Sequence, residues 1–107
     1  MEKIYDKLVR DKIPQIINNS GKTCHYEILD DEKYIALLDA KLFEEMLEYH
    51  QDKNLEELAD IVEVIYAIAK SKGCSVDEFD KIRKDKADER GGFDNKILLK
   101  SVVYEED

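Results

Sequence analysis

Residues 31–72 decide the fold, and they read DEKYIALLDAKLFEEMLEYHQDKNLEELADIVEVIYAIAKSK. Apolar residues recur at helical spacing on both sides of a short polar turn at Gln51–Asn54. A turn of this length predicts that two helices, Asp31–Lys53 and Leu55–Lys72, pack against each other as an antiparallel hairpin. A third helix is expected from Val76 onward, so the chain is predicted to be mainly α.

The ends of the chain differ from this helical centre. Thr23–Leu29 and Lys96–Tyr104 contain β-branched and aromatic residues, and each is expected to form a short strand or an extended segment. A chain of 107 residues corresponds to a single domain, residues 1–107, with a limited core of its own. Within the second helix the run Leu58–Lys70, LADIVEVIYAIAK, is apolar on nearly every side except at Asp60 and Glu63, which indicates burial by several neighbours. We therefore expect a homodimer or homotetramer in which partner subunits complete the bundle.

Two pairs of acidic residues stand three positions apart in the two hairpin helices, Glu45 with Glu48 and Glu57 with Asp60. Residues three apart share one face of a helix. In the antiparallel register Glu45 lies level with Asp60, and Glu48 then lies level with Glu57. Clustered carboxylates raise one another's pKa or require a counter-ion. Oxygen-only ligand sets favour hard divalent cations, so the pattern indicates a site for Mg²⁺ or Mn²⁺.

Two simpler interpretations of these acids stay open. All of them could be solvated residues on surface helices, and Glu57 could close a capping box with Asn54, three residues before it. Asp60 is distinctive because it interrupts an apolar run, where an unpaired charge is costly to bury. We therefore expect Asp60 to be the least exposed of these acids and the first choice as a ligand.

Composition limits the classes of function. The formal net charge is −9, from 17 basic and 26 acidic residues. This charge argues against nucleic acid or an anionic membrane as a partner, because both require basic surface. Cys24 and Cys74 are isolated, and the N-terminal residues have no apolar run of signal length, so reduced thiols and a cytoplasmic location are expected.

Basic residues near both ends are candidates for phosphate contacts. Lys7 and Arg10 belong to a basic island in the N-terminal segment, and Lys86 and Arg90 lie about one helical turn apart in the third helix. Ion pairing with neighbouring acids is the alternative in both cases. Phe93 follows two glycines and either covers the core or stacks on a base.

These motifs resemble those of a known family. The segment Glu44–Glu48, EEMLE, followed by Glu57–Asp60, ELAD, looks like the EExxE…ExxD signature of the all-α nucleoside triphosphate (NTP) pyrophosphohydrolases. These are the MazG-like and phosphoribosyl-ATP pyrophosphohydrolase-like proteins. The opening Tyr5–Pro14, YDKLVRDKIP, and the later stretch Lys86–Phe93, KADERGGF, resemble a small MazG-like branch described as house-cleaning enzymes.

The resemblance implies Mg²⁺-dependent hydrolysis of an NTP, which can be a non-canonical one, to nucleoside monophosphate and pyrophosphate. Mn²⁺ is a possible substitute for Mg²⁺. The alternatives are hydrolysis of phosphoribosyl-ATP and a non-catalytic helical module that binds nucleotide. Each residue that the resemblance assigns to the site is charged. By analogy Glu45, Glu48, Glu57 and Asp60 are the metal ligands, Glu44 supports them, and Lys86 and Arg90 hold phosphates.

Overall fold

The computed structural model describes residues 1–105, and these residues are mainly helical. Four helices follow one another along the chain: α1 at Ile13–Asn19, α2 at Asp31–Asp52, α3 at Leu55–Ser71 and α4 at Val76–Arg90. The prediction of a mainly α fold is confirmed. Residues 106 and 107, the end of the predicted domain, lie outside the described residues.

Local sequence chemistry explains where the three long helices begin. Each follows a polar residue whose side chain accepts a hydrogen bond from the backbone N–H three residues later; these caps are Asp30, Asn54 and Ser75. At the other end, α2 stops at Lys53, which has a φ of 55°. Gly73, with a φ of 81°, lies two residues beyond α3, where a residue without a Cβ is favoured.

The packing of the helices centres on α3. Helix α2 packs against α3 across the two-residue connection Lys53–Asn54, and α4 also packs against α3. Tyr66 of α3 and Phe79 of α4 meet edge to face, with ring centroids 6.2 Å apart. The buried apolar side chains of the described chain are Leu38, 5% exposed, and Ala69, 6% exposed.

The chain is more extended than a compact domain of its length. Its radius of gyration is 19.4 Å and its extents are 70 × 32 × 24 Å, whereas a compact domain of this length would have a radius of about 13 Å. Large apolar side chains on the helices remain more than half exposed. They include Phe43, Leu47, Leu55 and Ile82.

The strand alternative for the two terminal segments is wrong within the described residues. Neither Thr23–Leu29 nor Lys96–Tyr104 forms a β-strand there. β-branched composition alone cannot make a strand, because a strand requires a neighbouring edge for its backbone hydrogen bonds, and the two segments do not pair in the described chain. Among residues 1–105, no helix is both long enough and apolar enough to span a bilayer.

Candidate metal centre

Five carboxylates from two helices meet where α2 packs against α3. They form two groups of three, and within each group one oxygen of every carboxylate lies within 4.8 Å of the others. Glu45 is common to both groups and therefore lies at the centre of the cluster. The first group is Glu44, Glu45 and Glu48, and the second is Glu45, Glu57 and Asp60.

Glu45 is the most deeply buried acid of the cluster. The residue is 7% exposed, and its Oε2 has no hydrogen-bond partner. Its Oε1 lies 3.4 Å from the Nζ of Lys41. Burial, and then the negative charge of Glu48, raise the pKa of Glu45, and the nearby Lys41 offsets only part of this effect. A buried carboxylate oxygen without a partner is costly, and either a bound proton or a neighbouring cation would reduce that cost.

The side chain of Glu57 takes no part in capping its helix. Asn54 accepts a hydrogen bond from the backbone N–H of Glu57 at 2.9 Å, but the Glu57 Oε2 is buried without a partner. The comparable pair at the start of α4 does close its capping box, because Ser75 and Glu78 bond each other's backbone N–H. Burial, and then the charge and hydrogen bond of Glu48, raise the pKa of Glu57.

Three cations contact carboxylates of the cluster. Lys7 Nζ lies 3.2 Å from Glu44 Oε1, and Lys41 Nζ lies 3.3 Å from Glu44 Oε2. Arg10 Nη2 lies 2.5 Å from Asp60 Oδ1. Although burial opposes ionisation of Glu44, the hydrogen bonds and charges of Lys7 and Lys41 hold its pKa below the usual value. The hydrogen bond to Glu44 in turn raises the pKa of Lys7.

The expected order of burial within the cluster is wrong. Asp60 was expected to be the least exposed acid, yet its side chain is 38% exposed and that of Glu45 is 9% exposed. The apolar run around Asp60 needs neighbours on every side, and in the described chain only α2 and α4 pack on α3. Asp60 therefore remains open on one side, where Arg10 reaches it.

The donor set suits a hard divalent cation. The ligand atoms are all carboxylate oxygens, and Mg²⁺ and Mn²⁺ prefer oxygen ligands. Five carboxylates facing three cations leave a surplus of two negative charges when all are ionised. A divalent cation would match that surplus and would serve the unpartnered oxygens of Glu45 and Glu57. These residues therefore fit the group that the sequence predicted.

The expected phosphate-binding residues separate into two sets. Lys7 and Arg10 contact the cluster directly. The other three are exposed and form no ion pair or hydrogen bond with the cluster in the described chain; they are Lys86, Arg90 and Phe93. Arg90 and Phe93 instead border a cavity of about 410 Å³ beyond the end of α4.

Lys41 is a site residue that the sequence interpretation missed. It binds Glu44 and Glu45 from within α2, at spacings of three and four residues. That spacing was visible in the sequence, because acids three and four positions after a lysine share its helix face.

Comparison with known proteins adds little to this geometry. No protein-family model matches the chain, and no solved structure matches it. A stretch of 42 residues, 39% of the chain, is 52% identical to an uncharacterized protein of Mycolicibacterium smegmatis. The match covers 43% of that protein, so the chain spans less than half the length of the curated relative it matches.

Proposed function

We propose that the chain is a divalent-metal-dependent pyrophosphohydrolase that converts an NTP to nucleoside monophosphate and pyrophosphate. The observation that carries the proposal is the position of Glu45. It is buried where the two carboxylate groups meet, and one of its oxygens has no partner. The resemblance of Glu44–Glu48 and Glu57–Asp60 to the EExxE…ExxD signature supplies the reaction class.

The chemistry of phosphoryl transfer fits a site built from carboxylates. This reaction needs positioning and charge neutralisation more than covalent chemistry from the protein. A bound Mg²⁺ or Mn²⁺ would supply charge neutralisation and lower the pKa of an attacking water. In this assignment Glu45, Glu48, Glu57 and Asp60 hold the cation. Glu44 supports these ligands, and its ion pairs with Lys7 and Lys41 hold it in position.

On the substrate side, two cations already lie beside the carboxylates. Lys7 and Arg10 are the nearest candidates for phosphate contacts. The remaining candidates could join the site only if a second subunit presented them to it; they are Lys86, Arg90 and Phe93. We propose that an antiparallel α2–α3 hairpin is completed as a bundle in a homodimer or homotetramer. Such an assembly would also cover the exposed apolar side chains of the helices.

One observation favours a second candidate, a non-catalytic module that binds nucleotide. The ion pairs of Lys7 and Arg10 already neutralise part of the cluster, as structural ion pairs would. In such a module nucleotide would bind in the presence of Mg²⁺ without release of pyrophosphate. Turnover therefore separates the two candidates.

The test is pyrophosphate release from canonical and modified NTPs, with and without Mg²⁺, with Mn²⁺ as a substitute and phosphoribosyl-ATP as an additional substrate. The proposal expects metal-dependent release of pyrophosphate and monophosphate from at least one NTP, and loss of that release in Asp60→Asn. Release from phosphoribosyl-ATP alone would move the assignment to that substrate. Nucleotide binding without turnover would favour the non-catalytic module.

A further inference from the structure

The N-terminal segment, residues 1–12, reaches across both helices of the candidate metal centre. Lys7 pairs with Glu44 on α2, and Arg10 pairs with Asp60 on α3. Glu44 belongs to the first carboxylate group and Asp60 to the second. The segment, which we name the basic arm, therefore occupies one carboxylate of each group.

We propose that the basic arm is an exchangeable plug. Without metal, Lys7 and Arg10 neutralise Glu44 and Asp60. With a divalent cation and a triphosphate bound, the carboxylates would hold the cation, and Lys7 and Arg10 would turn to the phosphate oxygens. This inference rests on the proposed function, because it assigns a regulatory role to the same site.

The contacts of the arm are of a kind that a divalent cation can displace. The side chains of Lys7 and Arg10 are 42% and 58% exposed, and exposed ion pairs are weak because water screens them. The arm also does not contact the two buried oxygens that lack a hydrogen-bond partner, Glu45 Oε2 and Glu57 Oε2. A divalent cation could satisfy these oxygens as well as the outer ones, which two monovalent side chains do not.

Charge explains the two states of the arm. With the arm in place, the surplus of two negative charges matches one divalent cation. With Lys7 and Arg10 withdrawn, the surplus rises to four and the site attracts cations more strongly. The arm therefore lowers metal affinity while no triphosphate is present, and it raises triphosphate affinity once metal is bound.

One backbone hydrogen bond joins the end of the arm to the helix that follows it. The N–H of Ile13 donates a hydrogen bond to the carbonyl oxygen of Arg10 at 3.0 Å, which ties Arg10 to the first turn of α1. Exchange at Arg10 then requires only a rotation of its long, exposed side chain away from Asp60. A phosphate bound beside Asp60 would remain within reach of the guanidinium, whose fork suits phosphate oxygens.

The experiment is a Mn²⁺ titration of the full chain without nucleotide, in which electron paramagnetic resonance reports free Mn²⁺. The double variant Lys7→Ala, Arg10→Ala is expected to bind Mn²⁺ about tenfold more tightly than the wild type. Lys12→Ala is the matched control, because it removes a positive charge from the same arm. Its Mn²⁺ affinity should stay within about twofold of the wild type. An unchanged or weaker affinity in the double variant would overturn the plug.

A second titration uses inorganic tripolyphosphate as the probe at saturating Mn²⁺. Here the same double variant is expected to bind about tenfold more weakly than the wild type, which reverses the order seen with metal alone. Equal or tighter binding would contradict the exchange. Arg10→Gln, which keeps a polar side chain of similar reach, should shift both affinities in the same directions by a smaller factor.

One further variant separates this inference from the metal centre itself. Glu45→Gln should lose Mn²⁺ binding under either account of the arm. Loss of binding in Glu45→Gln, together with unchanged binding in the double variant, would overturn the plug alone. Equal Mn²⁺ binding by Glu45→Gln and the wild type would overturn the metal centre.

Discussion

The acids of α4 and the acids of the α2–α3 cluster differ in where their positive partners come from. On α4, Asp80 pairs with Arg83 at 3.0 Å and Lys84 at 3.3 Å, all within one helix. In the cluster, Glu44 and Asp60 take cations from the basic arm, which lies 37 and 50 residues away along the chain. Local spacing thus supplies both partners of Asp80, whereas the cluster combines one local partner, Lys41, with two cations from a segment that must be folded onto it.

The pKa values of the acids in these two regions are shifted in opposite directions. Hydrogen bonds from Arg83 and Lys84 hold the pKa of Asp80 below its usual value, whereas burial and neighbouring acids raise the pKa of Glu45 and Glu57. A surface helix that balances its own charges needs nothing further. A buried cluster with a surplus of charge is instead where a bound cation would have the largest effect, and this contrast leads to four predictions.

The largest expected effect is on catalysis. Glu45→Gln removes the carboxylate shared by both groups, and we expect metal-dependent pyrophosphate release to fall about a hundredfold or more. Asp80→Asn removes an acid that is paired within α4, and its activity should stay within about twofold of the wild type. Steady-state assays of the two variants at saturating Mg²⁺ measure this difference in activity. Equal losses of activity in both variants would contradict the prediction.

Mg²⁺ should also stabilise the folded chain, but only when the carboxylate cluster is intact. At about ten times its Kd, Mg²⁺ is expected to raise the thermal midpoint of the wild type by about 5 °C, because it binds the folded state alone. The same shift is expected for Asp80→Asn, and no shift for Glu45→Gln. Differential scanning calorimetry with EDTA as the reference checks this. A full shift in Glu45→Gln would place the bound metal elsewhere.

The pH dependence of the metal-free protein should follow the raised pKa of Glu45. The folded state binds this proton more tightly than the unfolded state does, so the stability it contributes is full at low pH and is lost as the pH rises through the raised pKa. Glu45→Gln keeps a neutral side chain of the same shape. In EDTA its free energy of unfolding should therefore increase relative to the wild type as the pH rises above about 4.3, the ordinary pKa of a glutamate. Urea unfolding measures the difference, and a constant or reversed difference would show that burial does not raise this pKa.

The smallest effect is expected on α4. Asp80→Asn breaks exposed ion pairs within one helix, and such pairs contribute little because water screens them. The thermal midpoint in EDTA should fall by less than about 2 °C. A fall as large as the shift that Mg²⁺ produces in the wild type would show that α4 depends on these charges for its fold.

Features governed by neighbouring residues were predictable from the sequence. Asp30, Asn54 and Ser75 cap their helices as their residue types indicate, because an N-cap acts within one helical turn. The approach of Glu45 to Asp60 followed from a short turn between two helices.

Features that depend on distant packing could not be predicted in this way. Glu45 lies deeper than Asp60 because burial depends on which helices pack around α3, and the sequence does not state how many do. Nothing in the local pattern shows that Arg10 reaches Asp60, since an ion pair between a non-helical segment and a helix has no fixed spacing. The strand alternative for Thr23–Leu29 was wrong for the same reason, because a strand depends on a partner elsewhere in the chain.

The most direct measurement is anomalous diffraction from crystals of the full chain grown with Mn²⁺. The account predicts an anomalous peak within coordination distance of Glu45, Glu57 and Asp60, with the Glu45 Oε2 among the ligands. A well-ordered cluster without such a peak, or a peak confined to other residues, would contradict the assignment of a metal centre.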